Sequence, residues 1–418
     1  MKTILTNCSL IDCTGKDLQK DMTLVIQDNR IEDIFPGIFQ DTQGEIPGIR
    51  VIDLKGGYVL PGLWNVHGHL GDLLPDIHNL LPNEPVGNAL IRGGRNAMEG
   101  LRAGVTSMRI VGERDCIDIT WRDAFNAGIM LGPRLFVCGT PITATGGHSW
   151  EPVGPGGIEI DGPYEMRKAV RQNIKLGADQ IKIMDTELIE DEIQSAVETA
   201  HGQGKKVAVH SKSPMTKVSI CCGVDTIEHA YKLDDETIAL MKEHEVFYVP
   251  TLICNLDEDL IRSVEKTMEE LFPEEDQAKK EGRLKILWKD VRTKEHCKTQ
   301  RDGFKKAVEA GIKVCTGGDS VPNGELELLE IEQFVLAGMT EMQAIIAATR
   351  WGAEICGVED QLGTLEKGKL ADLLILEDNP LESIYNLRKV QTVFKDGFKI
   401  DPLLPEGIKD FWELYFVE

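Results

Sequence analysis

Between Tyr58 and about Gly357 the chain alternates short apolar, β-rich runs with longer stretches of helical periodicity, and this alternation limits the fold more than any other feature. The runs are eight: 59–70, 105–111, 134–139, 180–184, 206–210, 226–230, 246–252 and 313–316. Parallel strands need a crossover connection, usually a helix, so repeated βα units imply a parallel sheet. Eight units in about 300 residues predict an α/β fold, a closed (β/α)₈ barrel of the TIM type rather than an open sheet.

The two ends read differently. Residues 1–57 hold short strands broken by Gly, Asn and Asp turns, and residues 358–418 return to β character. We expect them to pair as one discontinuous β-sandwich carrying the barrel of 58–357. Segment 255–303, dense in Glu, Lys and Asp, reads as a solvated helical pair or as a lid over the barrel mouth. The aromatic tail Phe411-Trp-Glu-Leu-Tyr-Phe416 should dock on the protein or on a neighbouring subunit, so a homo-oligomer is expected.

Composition narrows the function. With 46 basic and 69 acidic side chains the net charge is −23, which disfavours nucleic acid and anionic lipid as partners and favours a small-molecule substrate. Ten cysteines without a Cys-x-x-Cys pair fit neither a disulfide scaffold nor a zinc knuckle, and suit a reducing, cytoplasmic setting. No apolar stretch approaches the ~20 residues of a membrane span.

Functional groups of such barrels gather at the C-terminal ends of the strands. His67 and His69 end the first run, His210 the fifth and His229 the sixth, so four imidazoles are predicted to share one mouth. His78, His201, His244 and His296 fall in loops or helices and read as solvated. Asp319 follows the eighth run; it could ligate a metal and accept a proton, or simply cap a helix. Lys182 lies within the fourth run between Ile181 and Ile183, where a buried amine must be paired or chemically altered.

The set His67-Gly-His69, Lys182, His210, His229 and Asp319, in that order, resembles the binuclear pattern of the metal-dependent amidohydrolase superfamily. Supporting motifs are Leu60-Pro-Gly-Leu63, Ala103-Gly-Val-Thr106, Val224-Asp-Thr-Ile-Glu-His229, Val249-Pro-Thr-Leu252 and Leu362-Gly-Thr-Leu-Glu-Lys-Gly-Lys-Leu-Ala-Asp-Leu373. Thr145-Gly-Gly-His148 and Glu228-His-Ala-Tyr231 are similar to the imidazolonepropionase-related branch, with its Xaa-Pro dipeptidases and Xaa-Arg/Lys carboxypeptidases. The resemblance implies two divalent ions, zinc above manganese or iron, one on His67, His69 and Asp319 and the other on His210 and His229. It further implies N6-carboxylysine at Lys182 and a bridging hydroxide attacking a C–N amide bond in a dipeptide or N-acyl amino acid. Asp319 would shuttle the proton, His148 would hold the carbonyl, and Tyr231 would help hold the substrate carboxylate, with Arg109 and Arg114 as further candidate partners. Asp185-Thr186-Glu187, Ser149-Trp150 and Gly318 depart from the branch's usual pattern, at places expected to touch substrate. Alternative readings are a mononuclear deaminase of a ring amidine, a hydrolase of carbamates, ureas or lactones, and a non-catalytic scaffold.

Overall fold

The computed structural model describes residues 2–39, 48–71, 84–148, 156–400, 407 and 409–416. The N-terminal strands are β1 (Lys2–Leu10), β2 (Gln19–Gln27), β3 (Arg30–Pro36), β4 (Ile49–Asp53) and β5 (Tyr58–Pro61). β1 runs antiparallel to β2 and parallel to both β4 and β5, taking β4 along Lys2–Thr6 and β5 at Ser9–Leu10. It changes neighbour at Asn7, whose φ of 54° kinks the strand and whose carbonyl accepts from Gly56 N. Asparagine tolerates that left-handed geometry better than most residues.

The middle of the chain supplies β6 (Leu63–Gly68), β7 (Val105–Ile110) and β8 (Arg134–Val137), a parallel three-stranded sheet. β9 (Ile142–Ala144), β10 (Ile158–Ile160), β11 (Ile181–Met184), β12 (Val207–Ser211), β13 (Thr226–His229) and β14 (Phe247–Val249) form a second parallel sheet in the order β10-β9-β11-β12-β13-β14. Hydrogen bonds join the sheets on both sides. Asp179 N donates to Val137 O at 2.8 Å, and segment 313–316 lies between β14 and β6 through Cys315 N to Tyr248 O (2.8 Å) and Val66 N to Thr316 O (3.0 Å). Helices pack against these strands, and their apolar faces join the strand side chains in one large buried core.

The chain then returns as β15 (Leu373–Leu376), β16 (Val390–Lys395) and β17 (Phe398–Ile400). β15 inserts between β5 and β16, so strands from both ends of the chain meet in one mixed sheet of eight strands. Leu5, Leu10, Leu24, Ile26, Val59, Leu373, Ile375 and Phe394 are its shared core. Arg134 at the foot of β8 reaches Asp372 (3.3 Å) and Asp396 (2.6 Å), tying the parallel strands to this sheet.

Some expectations change. The first run, read as continuous over 59–70, divides at Gly62: β5 belongs to the terminal sheet and β6 to the parallel one. Segment 255–303 carries three helices, Glu258–Leu271, Gln277–Leu287 and Lys294–Glu309, instead of a pair. They are not merely solvated, since Ile261, Val264, Met268 and Leu287 are buried with Leu326 and Leu329. The tail helix Phe411–Phe416 docks on its own chain, with Phe411 and Trp412 buried beside Val321, Ala278 and Ile286. Gly282 permits this approach, because a Cβ there would lie 2.7 Å from the rings of Trp412 and Phe416. Among the described residues no helix is long and apolar enough to cross a membrane.

At Gly62 a Cβ would stand 2.0 Å from the Thr106 hydroxyl oxygen, so the strand handover requires glycine. Gly62→Ala should therefore cost about 1–3 kcal/mol through overpacking. Chemical denaturation reads this as a lowered midpoint at unchanged slope, and an unaltered midpoint would contradict the close approach.

Candidate metal centre

β6 brings His67 and His69 to the end of the parallel sheet, and the turn after segment 313–316 brings Asp319 to meet them. His67 Nε2 lies 3.0 Å and His69 Nε2 3.4 Å from Asp319 Oδ1. One donor atom from each residue falls within 4.8 Å of the others, and among the described residues this trio is the group of three histidine, cysteine or carboxylate side chains compact enough to hold an ion. The opposite ring nitrogens are already engaged. His69 Nδ1 donates to Gly112 O at 3.0 Å and His67 Nδ1 donates to Glu228 Oε2 at 2.7 Å, which leaves both Nε2 lone pairs aimed at Asp319. Burial alone would raise the Asp319 carboxyl, but the surrounding imidazoles, His67 first among them, hold it well below the usual range.

Two backbone devices create this closeness. Asn65 Oδ1 accepts from both His67 N (3.1 Å) and Gly318 N (3.3 Å), pinning β6 to the Asp319 turn. A Cβ at Gly317 would come within 2.5 Å of the His67 Cβ, and one at Gly318 would press on Leu326 at 3.2 Å and Asn65 Nδ2 at 3.4 Å. A side chain at the second glycine would need Leu326 to give by a few tenths of an ångström.

Beneath His67 lies a buried charge pair. Arg109 Nη2 donates to Glu228 Oε1 at 2.6 Å and Nη1 to Thr226 Oγ1 at 3.1 Å, while Nε donates to Val66 O. Both side chains are 0% exposed. Burial opposes ionisation of Glu228, yet Arg109 and the His67 hydrogen bond drive its carboxyl far below the usual range. Arg109 is therefore a support for the histidine and unavailable as a substrate clamp. Arg114 bonds Asp115 Oδ2 and Glu84 O, both at 3.2 Å.

His210 and His229, ending β12 and β13, stand beside this trio: His229 lies 4.7 Å from His67 and 4.5 Å from His210, centroid to centroid. Glu228 and His229 are consecutive, so a regular strand would send them to opposite faces. The left-handed backbone at His229 and Ala230, φ 67° and 38°, turns both toward the centre. His229 Nδ1 donates to Thr251 Oγ1 at 2.7 Å, because the Thr251 hydroxyl donates onward to Pro250 O. Burial keeps both imidazoles neutral, with His229 brought down to about 3 and His210 well below its ordinary value. Neutral imidazole is the ligating form. Glu330, buried on helix Asn323–Leu336, accepts from Leu252 N and Ile253 N and so fixes the loop that carries Thr251.

Lys182 on β11 is buried and, among the described residues, makes no ion pair. Burial pushes its amine below the usual range, partly countered by Glu228 and Asp319. The expected ion-pair alternative is thus unsupported, and the lowered proton affinity favours the uncharged amine, the form that reacts with carbon dioxide.

At the mouth His148 stacks on His210 with centroids 4.3 Å apart, and Tyr231 stacks on His229 at 5.6 Å. Within the Asp185–Glu187 segment Asp185 is buried and bonded to protein groups, while Glu187 is exposed. Asp185 accepts from Ser211 (2.6 Å), Ser219 (2.7 Å) and Lys212 N (3.3 Å), and Glu187 accepts from His148 N at 3.2 Å. His201 bonds Asp225 at 2.9 Å and His244 is exposed, but His296, expected in solvent, tilts against Tyr231 at 5.5 Å. His78 and Ser149-Trp150 lie outside the described residues. Arg109, Glu228, Asn65 and Thr251 were not singled out as supports of the site from sequence. For Glu228 a signal existed, since it stands inside the motif ending at His229.

The amidohydrolase family model matches residues 58–399, so the chain belongs to the amidohydrolase family and is a hydrolase acting on carbon–nitrogen bonds. Ochratoxinase of Aspergillus niger is 28% identical over an alignment of 430 residues, covering 91% of this chain and 82% of that protein. The crystal structure of a Xaa-Pro dipeptidase with methionine bound in its active site is similar at a TM-score of 0.81 and 31% identity, covering 96% of this chain and all of that one. A prolidase complexed with N-methylphosphonate-L-proline follows at a TM-score of 0.77 and 26% identity, covering 96% and 99%.

The Arg109–Glu228 pair yields a double-mutant test. Arg109→Met leaves a buried carboxylate unpaired and should destabilise the fold by about 3–5 kcal/mol, with much of that loss recovered in Arg109→Met/Glu228→Gln. Glu228→Gln alone should lower metal affinity by roughly 10–100-fold, because a neutral amide orients His67 more weakly. Metal titration of the folded variants checks this; full affinity in Glu228→Gln would sever the link.

Proposed function

We propose that the protein is a binuclear metal-dependent hydrolase that cleaves the amide bond of a dipeptide of the Xaa-Pro or Xaa-Arg/Lys kind, or of an N-acyl amino acid. What supports this reading is the gathering of His67, His69, His210, His229 and Asp319 at one end of the parallel strands, with Lys182 buried on the neighbouring strand β11. The dipeptidase and prolidase among the similar structures support the substrate class. The eight parallel runs would close as a (β/α)₈ barrel over 58–357, mounted on a small sandwich of the terminal segments 1–57 and 358–418.

His67, His69 and Asp319 would hold one ion and His210 and His229 the other, with Lys182, carboxylated on its neutral amine, as the anionic ligand between them. Two divalent ions, with zinc suited to imidazole and carboxylate donors, would acidify a shared water and polarise the amide carbonyl when bound. The protein's own groups do the rest. Asp319 Oδ1 faces His67 and His69, so Oδ2, 4.0 Å from His229 Nδ1, is the oxygen that takes the proton of the attacking water. The same oxygen then delivers it to the departing amine as the tetrahedral carbon collapses. His148, held by Glu187 and stacked on His210, donates toward the developing oxyanion. Tyr231, stacked on His229, orients the substrate end nearest the inserted helices.

A screen of zinc-loaded protein against Xaa-Pro, Xaa-Lys and Xaa-Arg dipeptides and N-acyl amino acids tests the reading, and failure on every member overturns it. Asp319→Asn should remain folded and bind substrate while losing about 10²–10⁴-fold in kcat. Turnover near the wild-type rate would remove Asp319 from proton transfer.

A further inference from the structure

A carboxylate that both ligates an ion and carries a proton must keep its two oxygens in separate places, because rotation of the group exchanges them. At Asp319 the backbone is already fixed: its φ is 58° and its N–H donates to His67 O at 2.8 Å. The carboxyl group is left to be oriented by its neighbours. Oδ1 faces His67 Nε2 at 3.0 Å and His69 Nε2 at 3.4 Å, on the side of the ion. Oδ2 lies 4.0 Å from His229 Nδ1, whose proton goes to Thr251 Oγ1 instead. The donor that Oδ2 does have is the thiol of Cys254, at a sulfur-to-oxygen distance of 3.4 Å.

The turn that carries this thiol is held as firmly as the carboxylate. Cys254 ends the 3₁₀ turn Leu252–Cys254, and its own N–H closes that turn onto Thr251 O at 3.1 Å. The N–H groups of Leu252 and Ile253 are both taken by the buried Glu330 carboxyl, at 2.9 and 2.7 Å. Leu252 and Ile253 are buried, and Cys254, half-buried, packs against the apolar cluster of Ile253, Leu256 and Ile261. The sulfur therefore has a set place relative to Asp319. A thiol suits that place chemically. S–H is a weak donor, so it orients Oδ2 without binding it as tightly as a hydroxyl or an ammonium would, and the oxygen stays available to a water proton.

We infer that Cys254 is a positioning residue for the reaction: its thiol fixes the rotation of the Asp319 carboxyl, turning Oδ1 to the ion and Oδ2 to the attacking water. This rests on the hydrolase reading for that reaction, yet it can fail separately. Cys254 transfers nothing itself, and its effect reaches the substrate only through Asp319. It also stands where segment 255–303 begins, so the thiol links the three inserted helices to the group that moves the proton.

Two measurements on the full-length, zinc-loaded protein test this. The infrared S–H stretch lies where other protein groups scarcely absorb, and subtracting the spectrum of Cys254→Ala from that of the wild type isolates the band of this one thiol. The same subtraction in an Asp319→Asn background should place the band at higher frequency, because a neutral amide oxygen accepts more weakly than a carboxylate. In turnover of whichever dipeptide or N-acyl amino acid the enzyme accepts, Cys254→Ala should lower kcat about 3–10-fold with KM and zinc content unchanged. Cys254→Ser, which keeps a donor, should recover most of that loss, and Cys254→Val, which fills the space without one, should not; a merely space-filling role predicts the reverse. A band at the same frequency in both backgrounds, or a kcat that Cys254→Ala leaves unchanged, would overturn the positioning role even where dipeptides are hydrolysed. A shifted band in a protein that hydrolyses nothing would uphold the thiol's hold on Asp319 and overturn the hydrolase reading.

Discussion

Everything at the centre depends on one buried chain of charge: Arg109 to Glu228 to His67 to Asp319. Removing a guanidinium and a carboxylate from water costs several kcal/mol for each ion, so the arrangement persists only because the partners saturate one another. Arg109 spends its donors on Glu228, Thr226 and the Val66 carbonyl, and Glu228 passes its second oxygen to His67. The result is a histidine whose Nδ1 is occupied, whose ring cannot rotate freely, and whose Nε2 faces Asp319. A pre-set imidazole is what a metal site needs from its surroundings.

The same logic extends around the mouth. Each site histidine whose Nδ1 bond is seen is held from behind by a different element: His67 by β13, His69 by the turn after β7, and His229 by the loop after β14. That last loop is in turn fixed by Glu330 on helix Asn323–Leu336. Left-handed backbone at His229, Ala230, Thr251 and Asp319 shows where the chain leaves regular geometry to aim these groups. Such strain is sustained because the surrounding core is closely packed, with glycine at 62 and 317 where no Cβ would fit.

Much of this was legible in the sequence, for identifiable reasons. Seven of the eight apolar runs reported parallel strands, because strands covered on both faces must be apolar throughout, whereas the eighth, 313–316, forms only an isolated bridge from Val314 to Tyr248. The ligating residue types at run ends reported the site, because a metal restricts its donors to a few side chains. Glu228 and His229 were harder to assign together, since strand alternation places neighbours on opposite faces and the positive φ that defeats it leaves no trace in residue type. His296 read as solvated because its partner Tyr231 lies 65 positions earlier, across a contact that local periodicity does not encode. The division of 59–70 at Gly62 escaped for a similar reason, as both halves are equally apolar and only tertiary pairing separates them.

The central claim is that one mouth holds two ions in two distinct donor sets. Anomalous X-ray scattering from crystals of the zinc-loaded protein tests it most directly. The account predicts two peaks per chain, one among His67 Nε2, His69 Nε2 and Asp319, and one beside His210 and His229, with carboxylate density on the Lys182 amine between them. A single peak at the first position, with Lys182 unmodified, would contradict it.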